Sequence, residues 1–188
     1  MNLQPLFETQ KKLDERIVKE KGLEGVDLLD KKILALQVEL GELANEWQMF
    51  KFWKDNPKPR YETAEIYVHG YDGPGTDTRA SIEEYQAQPI LEEYVDCLHF
   101  ILSIANTINT DYFVYDVDIQ EYERKESITK QFQAVFGYAF LITEDNYCSE
   151  LLNTFLDLGT MLGFTWEQIE QAYYDKNKVN HERQSNGY

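Results

Sequence analysis

From Leu36 to Phe50 the apolar residues return at helical intervals. Leu36, Leu40, Leu43, Trp47 and Phe50 fall three or four apart and predict one buried face. Glu39, Glu42 and Glu46 form a second stripe with the same spacing. At roughly 100° per residue that stripe is centred roughly 90° from the apolar one, so the acids border the buried face. Asp30 is the expected cap of this helix, and "DNPKP" is expected to stop it at about Lys54. Upstream, "PLFETQKKLDERIVKEKG" predicts a first helix through Leu6, Leu13 and Ile17, with Gly22 as its C-terminal cap.

After the stop the pattern changes. "RYETAEIYVHGYDGPGTDTRASIEEYQAQP" combines Tyr, Ile and Val with the turn "YDGPGTD", so residues 57–88 are expected to form an insertion, a short hairpin or an irregular excursion. "ILEEYVDCLHFILSIANTI" is apolar around most of its circumference, which places that helix in the middle of a bundle. Its exceptions are Glu92, Glu93, Asp96 and His99. An Asp- and Tyr-rich loop over about 109–124 leads to helical patterns at about 127–142 and 146–162. Thr165 and Gln168 form a capping box for a last helix, "WEQIEQAYYDKNKVNHERQ". The expectation is one all-α domain, a helical bundle over residues 1–188 with a single excursion and a polar tail.

The chain has 188 residues, 43% hydrophobic and 14% aromatic, enough to build a substantial core. It contains no apolar run of about 18 residues and no basic–apolar–small N-terminal pattern, so no membrane span is expected and a cytoplasmic location is. Cys97 and Cys148 lie in apolar contexts without CxxC spacing and are expected to be reduced core thiols. Net charge is −16, from 18 Lys+Arg against 34 Asp+Glu, which opposes binding to nucleic acid or an anionic membrane. A phosphate-bearing ligand would then need cations as intermediaries. The plainer reading of the charge is an acidic, solubilising surface.

Glu39-x-x-Glu42 and Glu93-x-x-Asp96 each put two carboxylates one turn apart on the same side of a helix. ExxE alone recurs by chance on polar helix faces. The second pair is more specific, because its segment has little other polar surface. Four carboxylates around one cavity cannot all stay ionised and unpaired in a dry interior. Hard oxygen donors at that density suit Mg²⁺ or Mn²⁺, whereas His99 and the cysteines lack a Zn²⁺ arrangement. On the last helix, Tyr173, Lys176, Asn177, Asn180 and Arg183 recur at steps of three and four. They either present cations and amides to phosphates or form a solvated face.

The segments "QKKLDERI", "ELGELANEWQMFKFWK", "EEYVDCLHF" and "YYDKNKVNHERQSNGY" together resemble the dimeric, all-α dUTPase family, in its phage or Gram-positive bacterial style. That family is a branch of the all-α nucleoside triphosphate pyrophosphohydrolases, which include MazG-type enzymes. The gap between the two acid pairs is longer than in compact members, and the insertion at 57–88 accounts for it. The resemblance implies Mg²⁺-dependent hydrolysis of dUTP to dUMP and pyrophosphate, with water attacking the α-phosphorus. It also implies two or three ions on Glu39, Glu42, Glu93 and Asp96, with Mn²⁺ as a substitute.

By the same resemblance Glu39 is the general base, although the sequence does not separate it from Glu42. Glu46 is a spare acid or a solvated position. Lys176, Asn180 and Arg183 become triphosphate ligands on a closing segment, 173–188. Gln10 with Asp14, Trp53, His99 and Phe100 become base- and sugar-recognising residues. Each has a plain alternative: Gln10 at the surface, Trp53 capping the core, His99 a satisfied core histidine, Phe100 packing only. Lys51 and Lys54 either approach phosphates or snorkel. The resemblance further implies a homodimer and leaves a repressor protein open as a partner. The competing functions are a broader MazG-like hydrolase acting on dCTP and dUTP, and an acidic binding or regulatory protein without turnover.

Overall fold

The computed structural model describes residues 2–59, 62–68, 81–87, 89–108, 124–145 and 147–187, with backbone alone for 62–68, 81–87 and 143–145. Its helices are α1 (Gln4–Glu20), α2 (Leu29–Trp47), α3 (Pro89–Ile108), α4 (Ile128–Asp145), α5 (Cys148–Met161) and α6 (Trp166–Ser185). Strands β1 (Glu62–Val68) and β2 (Ser81–Ala87) lie between α2 and α3. They pair antiparallel from Glu62 opposite Ala87 to Val68 opposite Ser81. The fold is thus the expected all-α bundle, and the excursion carries a two-stranded ribbon. The expected loop at 109–124 lies outside the described residues except for Arg124.

Helix α1 starts with Pro5 in its first turn, where a missing N–H costs nothing, and Gly22 follows its end at φ 62°. Two expectations for α2 are corrected. Asp27 rather than Asp30 opens it, its Oδ1 accepting the Leu29 N–H at 3.0 Å. Asp30 sits inside the first turn, where its charge suits the helix dipole. The helix ends at Trp47, not near Lys54, because Gln48 turns left-handed at φ 59°. Tight turns follow, and Lys54 Nζ donates back to Gln48 Oε1 at 2.8 Å. Phe50 therefore reaches the core from a turn and not from the helical stripe. At the other end of the chain, Thr165 and Gln168 form the expected capping box of α6.

Helix α3 lies at the centre and packs against α1, α2, α5 and α6. Leu36, Leu40 and Leu43 of α2 are fully buried with Leu98, Ile101 and Leu102 of α3, each leucine contributing about 1.5–3 kcal/mol of burial. Cys97 and Cys148 are buried and unbridged, and burial pushes both thiols up, Cys148 to about 12. Tyr94 stacks on Phe155 at 4.3 Å and donates to its carbonyl at 3.1 Å. Gly159 permits this approach: a Cβ there would lie 2.5 Å from Tyr94 Oη. Gly159→Ala is therefore expected to cost about 1–3 kcal/mol in urea unfolding, overriding alanine's helix propensity. An unfolding midpoint at or above wild type would refute that close contact.

Candidate active site

The packing of α2 on α3 brings the two acid pairs together. Ligand oxygens of Glu39, Glu42 and Glu93 all lie within 4.8 Å of one another. Glu39 and Glu93 are half-buried at this seam and Glu42 is exposed. Burial raises the pKa of Glu93 to about 7, assisted by the charges of Asp96, Glu42, Glu39 and Glu92. Burial also raises Glu39, with Asp96 and Glu42 adding to it and Lys176 opposing.

The fourth carboxylate faces a cation. Lys176 of α6 donates to Asp96 Oδ2 at 2.6 Å and to Glu92 Oε1 at 2.9 Å. Burial still leaves the Asp96 pKa above its ordinary value despite that partner. Desolvation works against the charge of Lys176, yet its bonds to Asp96 and Glu92 prevail and raise its pKa. The arrangement is three crowded carboxylates beside an ion pair that fastens α6 to α3. Every donor in it is a hard oxygen, as Mg²⁺ or Mn²⁺ prefers.

The crowding has a measurable sign. Between the ordinary glutamate value and about 7, the folded chain keeps a proton on Glu93 that the unfolded chain has released. Stability is therefore lost as pH rises through about 7 and regained as it falls. With chelator present, the thermal midpoint is expected to be higher at about pH 5.5 than at about pH 8. A midpoint that climbs over that interval would show that Glu93 ionises normally.

Behind Asp96, a polar network joins α1, α3 and α6. Gln10 Nε2 donates to Asp14 Oδ1 at 2.8 Å, and Gln10 Oε1 lies 2.6 Å from His99 Nδ1. The Tyr173 hydroxyl approaches Gln10 Oε1 at 3.0 Å and the Leu6 carbonyl at 3.2 Å. Ser103 donates to Asp14 Oδ2 at 2.6 Å, and Lys32 lies 3.5 Å from the same oxygen. Burial, aided by the charge of Lys176, lowers the His99 pKa to about 3.

The family model described as dUTPase matches residues 2–71 and 81–188. The chain belongs to the all-α dUTPase family. A comparison with curated proteins finds no match. Family membership identifies the chain as a dUTP diphosphatase, hydrolysing dUTP to dUMP and pyrophosphate. Among the described residues, no helix is long and apolar enough to cross a membrane.

As a dUTPase, the chain places its other candidate residues unevenly. Gln10 is buried and not at the surface; its amide, with Asp14 and His99, belongs to the internal network. Phe100 is half-buried and packs on the core. Trp53 is 63% exposed and meets Phe50 and Phe52 edge-on at 6.0 and 5.1 Å. Lys51 lies over the Phe50 ring at 5.5 Å, and Lys54 is bound to Gln48, so both have local partners. Asn180 is half-buried and Arg183 exposed, its charge near enough to lower the pKa of Asp96. The last turns of α6 are fastened to α1 by Arg16, which donates to the His181 carbonyl and Ser185 Oγ. Lys32, Ser103 and Tyr173 were not anticipated in the network. A signal existed for one of them: His99, Ser103 and Thr107 form a polar stripe at steps of four in the most apolar helix.

Proposed function

We propose that this dUTPase works with magnesium held by Glu39, Glu42, Glu93 and Asp96, and that Glu39 accepts the proton of the attacking water. The convergence of Glu39, Glu42 and Glu93 oxygens within 4.8 Å is the observation that carries this reading. Crowded, half-buried carboxylates of raised pKa need compensating charge, and their all-oxygen donor set suits a hard divalent ion. When bound, such an ion neutralises phosphate charge and acidifies water.

The remaining work falls to the chain's own groups. Glu39, the half-buried acid of α2, orients water toward the α-phosphorus and takes its proton on an Oε atom. The new O–P bond forms as the bond to the pyrophosphate oxygen breaks. Lys176 exchanges Asp96 and Glu92 for phosphate oxygens, and Asn180 and Arg183 follow on the same helix. Trp53, exposed on its turn, supplies a stacking face, and Phe100 walls off the ribose 2′-hydroxyl. A homodimer is supported by exposed apolar side chains on α2 and α4, namely Leu34, Val38 and Phe140.

The test is pyrophosphate release from dUTP, dCTP, dTTP and UTP, with Mg²⁺ and with chelator. Release from dUTP in Mg²⁺ alone, faster than from the other three, is expected. Equal release in chelator would remove the metal from the mechanism, and a preference for dCTP would favour the broader MazG-like activity.

A further inference from the structure

Arg16 stands on α1 against the end of α6, and its guanidinium is nearly fully engaged. Nε donates to Glu20 Oε1 at 2.7 Å, which fixes the plane of the fork from within α1. Nη1 donates to the His181 carbonyl and to His181 Nδ1, both at 3.1 Å, and Nη2 donates to Ser185 Oγ at 3.0 Å. Arginine has no lone pair to offer, so Nδ1 is the bare nitrogen of that ring. Ser185 Oγ in turn donates to the His181 carbonyl at 3.1 Å and closes the cluster. A lysine, with one compact ammonium on a flexible stem, cannot span these acceptors.

The stretch of α6 that Arg16 grips has little else to hold it. The helix runs to Ser185, yet among the described residues its buried side chains are Ile169, Tyr173 and Asn177. Beyond Asn177 the one large apolar side chain, Val179, is exposed. A helix end without an apolar anchor opens at low cost. Asn180 and Arg183, the residues assigned above to phosphate, lie in this stretch. At roughly 100° per residue, His181 and Ser185 fall on one side of the buried stripe and Lys176, Asn180 and Arg183 on the other, roughly 150° round the helix. Lys176 holds the second side to α3 through Asp96 and Glu92. When phosphate draws Lys176 away, that side is released and Arg16 still holds the first.

We propose that Arg16 is a positioning residue for the triphosphate: it clasps the last turns of α6 to α1 and so fixes where Asn180 and Arg183 meet phosphate. It acts without touching substrate, and the role rests on the assignment of Asn180 and Arg183 to the phosphates. What matters is the shape of the fork and not its charge, because its acceptors on α6 are a carbonyl, a ring nitrogen and a hydroxyl. With the clasp open, only a fraction of the chains present a competent helix end, so nucleotide binding weakens by that fraction. Bound nucleotide restores the closed end, so turnover at saturation is largely kept.

The test pairs amide hydrogen exchange over residues 181–187 with dUTP kinetics in Mg²⁺, for wild type, Arg16→Met, Arg16→Lys and Ser185→Ala. Exchange of the nucleotide-free chain is expected to quicken about 10-fold in both arginine variants and less in Ser185→Ala. KM for dUTP is expected to rise about 5- to 20-fold in both arginine variants, with kcat within about 3-fold of wild type. Arg183→Met should raise KM less in the Arg16→Met background than in wild type, since the two act on one binding step. Unchanged exchange in folded Arg16→Met overturns the clasp, and unchanged exchange in Ser185→Ala does so if the arginine variants do not fold. A loosened end with an unchanged KM overturns the positioning role, as does full recovery by Arg16→Lys. If Arg183→Met and Asn180→Ala each leave KM unchanged, the phosphate assignment falls and the positioning role with it, while faster exchange in Arg16→Met would still establish the clasp.

Discussion

Glu39→Gln and Glu93→Gln are each expected to lower dUTP turnover by about 10³-fold or more, with the chain still folded. The amide matches the carboxylate in shape but lacks its charge, so each variant removes one arm of the three-oxygen cluster. At position 39 it also removes the proposed proton acceptor. The accompanying stability change separates this loss from misfolding. Glu39 and Glu93 both have raised pKa values from burial and neighbouring acids, so their ionised forms strain the apo fold. Relieving one charge should leave the thermal midpoint in chelator at or above wild type near pH 8, while added Mg²⁺ stabilises less than before. A chain whose acids were only a solvated surface would turn over dUTP unchanged in both variants, and that outcome would end the proposed mechanism.

Lys176→Met is expected to act on two quantities with opposite dependence on metal. Without metal, the variant leaves Asp96 half-buried with its bonded cation gone and releases α6 from α3. The loss should be about 1–2 kcal/mol, discounted because the second partner, Glu92, is largely solvated. With Mg²⁺ the gap should close, because Asp96 no longer has to be taken from a lysine before it can bind an ion. Calorimetric titration should therefore find tighter metal binding in the variant than in the wild type. Turnover of dUTP should nevertheless fall about 10²-fold, since the same ammonium is assigned to the phosphates. Lys176→Arg keeps the charge but exchanges a compact ammonium for a planar fork and should recover only part of the activity. Weaker metal binding in Lys176→Met would show that the lysine supports the metal site and does not compete for it.

Much of the scaffold was legible in local pattern. The period of Leu36, Leu40 and Leu43 marked the buried face of α2, and the nearly uninterrupted apolar run of α3 marked the central helix. The capping box at Thr165 announced α6 because both of its bonds are made within one turn. The end of α2 was not legible, since the left-handed residue there is Gln48, not a glycine, and "DNPKP" offered a stronger stop farther on. The four-carboxylate expectation was legible in part. Spacing put Glu39 beside Glu42 and Glu93 beside Asp96, each pair on its own helix, but it could not show that Glu39, Glu42 and Glu93 meet at one seam or that Asp96 faces Lys176, 80 positions later.

The same division holds for the polar network. Gln10 and Asp14 are one turn apart, as are His99 and Ser103, so each pair is visible on its own helix. That the two pairs meet, with Tyr173 stacked on the ring and Lys32 behind the acid, depends on how α1, α2, α3 and α6 pack. By itself the sequence determined the helices, their buried faces and the two acid pairs, because periodicity reports where a side chain points around its own axis. Only the tertiary structure decided which charge meets which. The raised pKa of Glu93 and the lowered pKa of His99 follow from burial and from neighbours distant in sequence, and no local spacing carries either.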